Sequence, residues 1–370
     1  MTATSVIVGN EVADDAVSTT ALLARPLDVV AFAKALLVKA GMPDDKADAV
    51  ASILVEGELL GRTTHGLALL APYLEEIAAG AMTLDGHPRV ISGFGACLTW
   101  DGRKLPGPWL VSKALDQAID RAARFGIGAV AIQRSHHIAS LGAYLKAATE
   151  RGFLGFITLT DPAFSSVAPF GGTKPVLTSN PFAFGAPTRT DPIVVDVSTS
   201  MVTNGMVARM KREGRRFEGP WLLDAEDEPS TDPNVIFADP PGTVLPLGGL
   251  EAGHKGYGLG MMIEILSGCL SGYGRAEPSA GWSAAVFVMA IDPAVFGGHD
   301  AYMKQVTWLV DACHQSPPRA GFERVRLPGE ASAARRERQQ NQGMRIDAVT
   351  LQALQPWMKK LGVAPPKAFS

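Results

Sequence analysis

A chain of 370 residues in which 46% are apolar has material for a large buried core, which excludes a wholly disordered protein and suits two lobes or one large α/β chain. Lys+Arg 34 against Asp+Glu 37 gives a net charge of −3, so no basic excess points to nucleic acid or an anionic membrane. The cysteines Cys97, Cys269 and Cys313 are too widely spaced for a disulfide framework or a zinc ribbon and fit a reducing compartment.

Residues 1–25 are rich in Thr, Ser, Val and Asp without a period and read as a loose tail. They carry Glu11, Asp14 and Asp15 and no basic segment leading into an apolar one, so no signal peptide is expected. Asp28 opens a helical pattern through Val29, Val30, Phe32, Ala33, Leu36, Leu37 and Ala40, stopped by Gly41 and Pro43. Asp44 or Asp45 caps a second helix to about Leu60, with Ala49, Ile53, Leu54 and Leu60 on one stripe. A polar connection, Arg62-Thr63-Thr64-His65-Gly66, leads to a third helix from about Leu67 to Ala79.

The middle of the chain changes style. Gly128–Ile132, Leu154–Leu159, Ile193–Val197 and Val286–Ile291 are short apolar runs of strand type, and a helix of about a dozen residues starts near Ser140. A helix Lys255–Ser271 follows a glycine-rich loop, and another spans Ala301–His314. The polar stretch ending at Gly343, with Arg335, Arg336 and Arg338, reads as a linker or solvated helix, and Met344–Gly362 as a last helix. Leu259–Leu270 is interrupted by Glu264 and too short to span a bilayer. The expectation is a cytoplasmic α/β protein with a helical part built from both chain ends.

No G-x-G-x-x-G follows a strand, so an ordinary Rossmann fingerprint is absent. Gly248 and Gly253 have P-loop spacing, but His254 stands where the lysine belongs, which argues against phosphoryl transfer. The same glycines opening into a helix, with Lys255 close by, make either an anion site or an ordinary turn beside a solvated lysine. Of seven histidines, His65 lies in a polar loop, and His136 and His137 follow a strand at its carboxyl end, where open α/β sheets place ligands. Imidazole is the common acid/base near neutral pH, although a lone histidine is more often a surface or capping residue. Asp196 and Asp161 end strands and suit either orientation of an imidazole or ribose, or plain capping. No G-x-S-x-G elbow supports a nucleophilic serine, and no ligand spacing supports a metal.

Several segments taken together resemble one family. Arg62-Thr-Thr-His65-Gly66 followed by Tyr73 is similar to the Ser-His-Gly…Tyr segment of the non-Rossmann malate/L-lactate dehydrogenases, a family that includes ureidoglycolate, sulfolactate and diketogulonate oxidoreductases and Δ1-piperideine-2-carboxylate reductases. Ser135-His136-His137-Ile138 with Gly142 and Tyr144, Ala168-Pro169-Phe170-Gly171-Gly172 with Ser179-Asn180-Pro181, and Val195-Asp196-Val197-Ser198-Thr199-Ser200 resemble its next blocks in order. Leu245–Gly249, His254–Leu259 and Leu327-Pro328-Gly329-Glu330 complete the series over residues 27–363.

The resemblance implies a non-Rossmann dinucleotide-binding α/β domain over residues 126–304, and a largely helical substrate-side domain from 27–125 plus 305–370, behind a flexible tail 1–26. It implies a homodimer or larger homo-oligomer that uses NAD or NADP to reduce a 2-keto acid or cyclic imino acid reversibly. The catalytic set implied is His137 as acid/base with His65 and Thr64 orienting substrate, or the reverse, and Asp196 beside them. Tyr73, Arg62 and Asp161 are the implied substrate contacts. The implied cofactor contacts are Ser135, Asn180, Pro181, Val195, Val197, Ser198, Thr199, Ser200, His254, Lys255, Gly256, Gly329 and Glu330. Three positions depart from the pattern. Leu69 stands where the family commonly has a carboxylate-binding arginine, Thr64 replaces a serine, and Ala139 replaces a glycine. Arg62 or Arg134 is the candidate replacement for the lost arginine, and a catalytically weak cofactor-binding protein is the alternative function. The cluster Arg209, Lys211, Arg212, Arg215 and Arg216 suits a 2′-phosphate or a solvated face.

Overall fold

The computed structural model describes residues 21–277 and 280–369. Local chemistry explains the first helices. After a short strand β1 (Leu22–Ala24), Pro26 stands at the start of α1 (Pro26–Lys39), Asp28 meets the positive helix end and Lys39 the negative one. Pro43 precedes α2 (Asp44–Leu59). Asp44 and Asp45 do not cap it through their side chains; they lie inside the first turn, where their charge still favours the helix dipole. Residues 63–65 form one 3₁₀ turn and Leu67–Leu69 another, before α3 (Leu70–Ala78).

The sequence expectation places residues 27–125 in the helical part, and residues 89–125 depart from it. They instead contribute strands β2 (Arg89–Phe94) and β3 (Cys97–Asp101) and helix α4 (Gly107–Phe125) to the sheet layer. β4 (Ile127–Ser135) pairs parallel to β3, with α4 as the crossover. Helix α5 (Gly142–Thr149) and strands β5 (Leu154–Thr160), β6 (Phe182–Ala186) and β7 (Ile193–Val197) follow, then α6 (Asn204–Arg212). Three two-residue strands, β8 (Leu222–Leu223), β9 (Pro229–Ser230) and β10 (Thr243–Val244), make a small separate sheet.

Helix α7 (Gly249–Glu264) starts six residues before the expected Lys255 and runs into a π turn at Ile265–Cys269. Two of its glycines are packing residues. A Cβ on Gly256 would lie 2.4 Å from the Leu247 backbone, and one on Gly260 3.3 Å from Thr199 Oγ1, so α7 presses directly on the segment after β7. β11 (Ala284–Ile291) then inserts antiparallel between β4 and β5, giving the seven-stranded order β2-β3-β4-β11-β5-β6-β7. Helix α8 (His299–Gln315) follows, and the polar stretch is helix α9 (Glu330–Gln342).

Met344–Gly362 is not one helix. Met344–Ile346 is strand β12, paired antiparallel with β1, and α10 (Ala348–Leu361) begins after the cap Asp347. The expected N-terminal tail is therefore ordered at Leu22–Ala24, and residues 1–20 lie outside the described residues. One core joins α1, α2 and α3 with Met344, Ile346 and Leu354 from the C-terminal end, and a second joins α4, α5 and the sheet. No helix among the described residues is long and apolar enough to cross a membrane.

Candidate active site

The site forms where the helical core meets the carboxyl end of β4. The 3₁₀ turn Thr63–His65 presents His65, and the turn after β4 presents His136 and His137. Two glycines hold these backbones close. A Cβ on Gly66 would strike Glu58 Oε2 at 2.4 Å, and one on Gly107, at the start of α4, would meet the carbonyl oxygens of His137 at 2.2 Å and His136 at 2.4 Å.

The two adjacent histidines diverge, as their neighbouring positions require. His136 is fully buried, with Nε2 3.2 Å from Glu76 Oε2. His137 turns toward His65, and the two rings stack at 6.0 Å between centroids with planes 19° apart. Tyr73 Oη lies 2.9 Å from His137 Nδ1 and donates to the His137 carbonyl at 3.1 Å, while the Ala139 N–H donates to the same Nδ1 at 3.2 Å. Trp282 closes the cluster, 5.0 Å from His137, 5.6 Å from His136 and 5.7 Å from Tyr73 between centroids. On the other side, Thr64 Oγ1 sits 3.0 Å from His65 Nδ1.

Asp196, at the end of β7, takes the Gly142 N–H at the start of α5 on Oδ2 at 3.2 Å, and Arg62 Nε lies 3.4 Å from the same oxygen. Burial dominates the charge balance. It lowers the pKa of His65, with Asp196 pulling it up and Arg62 pushing it down. The packed rings hold His137 down to about 3, and the neighbouring His65 and His136 add to this. Burial also raises the Tyr73 phenol and holds the Asp161 carboxyl up at about 6, against Arg275 and Lys104.

Leu69 is packed on the helical core and Arg134 is taken by Asp101, Nε to Oδ1 at 3.0 Å and Nη2 to Oδ2 at 2.6 Å. Of the two candidate replacements for the family arginine, Arg62 is the one at the histidine pair. Ala139 adopts φ +59°, the left-handed region that glycine enters freely, so the departure from glycine sits on a strained residue.

The expected cofactor residues are largely brought together. Thr199 N–H and Oγ1 bond the Ser179 carbonyl and Oγ1 also bonds that of Asn180, Leu247 N–H bonds the Thr199 carbonyl, and Asn180 Nδ2 bonds the Gly260 carbonyl at 3.1 Å. Asn180, Pro181, Val195, Val197, Ser198, Thr199, Ser200 and Gly256 thus line one wall formed by β7 and α7, from which His254 and Lys255 project into solvent. Lys255 is in the second turn of α7, not at its first residue. Gly329 packs on Val194 next to this wall, while Glu330 is held by His314 at 2.5 Å and Arg324 at 3.3 Å. Ser135 is fully buried and spends its hydroxyl on the His136 carbonyl.

Two observations fit a dinucleotide on this wall. The Asn180 Oδ1 acceptor is buried without a partner among the described residues, and α7, with Gly248 at its cap position, has no side chain capping its first N–H groups, which favours a bound anion. Sequence reading missed Trp282, Glu76 and the buried Glu264. Glu264 fixes Asn180 by accepting from its Nδ2 at 3.2 Å, from Thr160 at 2.8 Å and from Arg275 at 2.7 Å. Trp282 reaches the site only because β11 runs antiparallel to β4, which places Ala284 opposite Ser135.

A model of the malate/L-lactate dehydrogenase family matches residues 26–355. The L-lactate dehydrogenase of Cupriavidus necator is 33% identical, over 91% of this chain and 97% of its own. The structure of malate dehydrogenase from Pyrococcus horikoshii aligns with TM-score 0.85 and 29% identity over 95% of this chain and 99% of its own. That of Δ1-piperideine-2-carboxylate reductase from Pseudomonas syringae aligns at 0.80 and 27% over 90% and 99%. The match runs through the helical part, the histidine pair and the β7–α7 wall alike, and the chain belongs to the malate/L-lactate dehydrogenase family.

Proposed function

We propose that the protein is an NAD(P)-dependent oxidoreductase that reversibly reduces a 2-keto acid or a cyclic imino acid in the cleft shared by His65, His137 and Asp196. The observation that carries this reading is the stacking of two imidazoles from distant parts of the chain, 6.0 Å apart, beside the Arg62–Asp196 pair. A bound NAD or NADP supplies or accepts the hydride. Reduction leaves charge on the substrate heteroatom, which one imidazole neutralises while the other holds that atom in place. Thr64 steadies His65, Tyr73 steadies His137, and Asp196 favours a proton on His65. Half-exposed Arg62 takes the substrate carboxylate in place of the family arginine. We assign Asp161 to substrate contact, and Asn180, Pro181, Ser198, Thr199, Ser200, His254, Lys255 and Gly256 to the dinucleotide.

The helical part and the α/β part enclose this cleft, and both are needed for it. Homodimer assembly belongs to the same proposal, supported by the exposed apolar side chains Leu250, Met261, Met262, Ile265 and Leu270 along α7 and its π turn. A cytoplasmic setting accords with three free cysteines. Arg209 donates to Thr63 Oγ1 at 3.4 Å and pairs with Glu213 at 2.7 Å, so it braces the His65 turn. The test is fluorescence titration with NADH and NADPH, followed by turnover of pyruvate, oxaloacetate and Δ1-piperideine-2-carboxylate. Binding of one cofactor with turnover of one acceptor is expected; no binding of either overturns the proposal.

A further inference from the structure

The geometry points to a division of labour between the two stacked histidines: His137 is a permanently neutral hydrogen-bond donor whose Nε2–H holds the substrate oxygen or nitrogen, and His65 carries the proton. This deepens the oxidoreductase reading and rests on it.

The key contact is the Ala139 N–H aimed at His137 Nδ1 across 3.2 Å. A proton on Nδ1 would set two N–H groups against each other at that distance, so Nδ1 is bare and the neutral ring carries its hydrogen on Nε2. Tyr73 fits this tautomer in either orientation, since its hydroxyl donates to Nδ1 or to the His137 carbonyl. Nε2 makes no hydrogen bond to the described residues, and the His137 residue is only partly buried, unlike His136. It is the free donor of the cluster. Protonating this ring is opposed from every side by Trp282, Tyr73, His65 and His136, and no carboxylate contacts it among the described residues; this packing holds its pKa down at about 3.

His65 differs on each count. Thr64 engages its Nδ1 through a hydroxyl that donates or accepts, so both ring nitrogens can bear hydrogen. Burial lowers its pKa as it does that of His137, but Asp196 faces His65 and favours the charged form, with Arg62 opposing, whereas no such carboxylate faces His137 among the described residues. In reduction, C2 receives the hydride while the carbonyl oxygen takes the proton from His65 Nε2. C=O becomes C–OH, His65 is left neutral, and water reprotonates it beside Asp196. Oxidation of the hydroxy acid runs the same transfers backwards. His137 keeps its hydrogen throughout.

Nitrogen NMR of the histidine-labelled full chain tests this directly, with the His137 signals assigned by their loss in His137→Gln. The expected result is a bare Nδ1 and a protonated Nε2 on His137 from pH 5 to 9, with and without NADH. A proton on Nδ1, or a charged His137 in that range, overturns the inference. This reading needs no turnover, so it stands apart from the cofactor titration that tests the function. In kinetics, His137→Gln retains a donor near the Nε2 position and is expected to lose less than His65→Asn, which removes the acid and falls on the order of 10²–10⁴-fold. Equal losses in the two folded variants also overturn it.

Discussion

Gly107→Ala tests whether the backbone behind His136 and His137 sets the rate. The added Cβ would stand 2.2 Å from the His137 carbonyl oxygen, whereas real Cβ atoms essentially never come within 3.0 Å of a neighbour, so the turn must retreat by at least 0.8 Å. The alternative is to lift the start of α4, which is anchored by Trp109 and Leu110, both buried. Overpacking of this kind costs about 1–3 kcal/mol. A catalytic group displaced by about 1 Å costs on the order of 10²-fold in rate. The wall proposed for the dinucleotide is carried by β7 and α7, so NADH affinity is expected to hold. The assay pairs kcat/KM at saturating cofactor with Tm and cofactor titration. Gly152→Ala is the control: nothing lies within 4 Å and only its φ of +82° opposes a side chain, so it is expected to lose about 1 kcal/mol and no activity. Wild-type kcat/KM in Gly107→Ala would refute the claim that this turn positions His137.

Arg62→Ala is expected to raise KM for the acid substrate by about 10–100-fold, with a smaller effect on kcat, and Arg62→Lys to recover only part of it because a lysine lacks the paired fork; an unchanged KM removes Arg62 from substrate binding. Asp196→Asn removes the charge that raises the His65 pKa, so the pH profile for reduction, which needs protonated His65, should move to lower pH. A profile that stays in place or moves up breaks the link between these residues. Asp161 is held up at about 6 by burial, so its ionisation opposes folding, and wild-type stability should fall as pH rises from about 4 through 6, by an upper estimate of roughly 3 kcal/mol before solvent screening. Asp161→Asn keeps an acceptor for the Ala163 N–H; it should match wild type in Tm at pH 4 and exceed it at pH 8, and a lower Tm at pH 8 contradicts the account.

Local periodicity made much of the fold legible. The stripes of α1 and α2 and the apolar runs of β5, β7 and β11 lie where their residues place them. What escaped depends on distant partners. β2 is an edge strand with all six residues exposed, so it shows no alternation. β1 and β12 are three residues each and exist only by pairing with one another. Gly256 and Gly260 of α7 look like loop residues in sequence, yet they stand in a helix that presses on Leu247 and Thr199, where a larger side chain has little room. The stripe of α4, from Leu110 to Ala122, was open to periodicity all along. At the site, motif blocks carried His65, His137 and Asp196, whereas Trp282 and Glu76 required the packing itself.

The pairing of β1 with β12 also sets an order of events during synthesis. Glu56 of α2 meets Arg336 Nε at 2.7 Å across 280 residues of chain, and Gln339 reaches the carbonyls of Glu58 and Leu59 at the end of the same helix. At roughly 5–20 residues per second, the ribosome needs about 15–55 s to supply those partners after α2 emerges. By the end of that interval the sheet layer has every strand it needs, β11 included, while the first helices still hold an apolar face and an unfinished His65 turn. The earliest part of the chain to be made is thus among the last to be completed, and its apolar face is the surface that needs protection while translation proceeds.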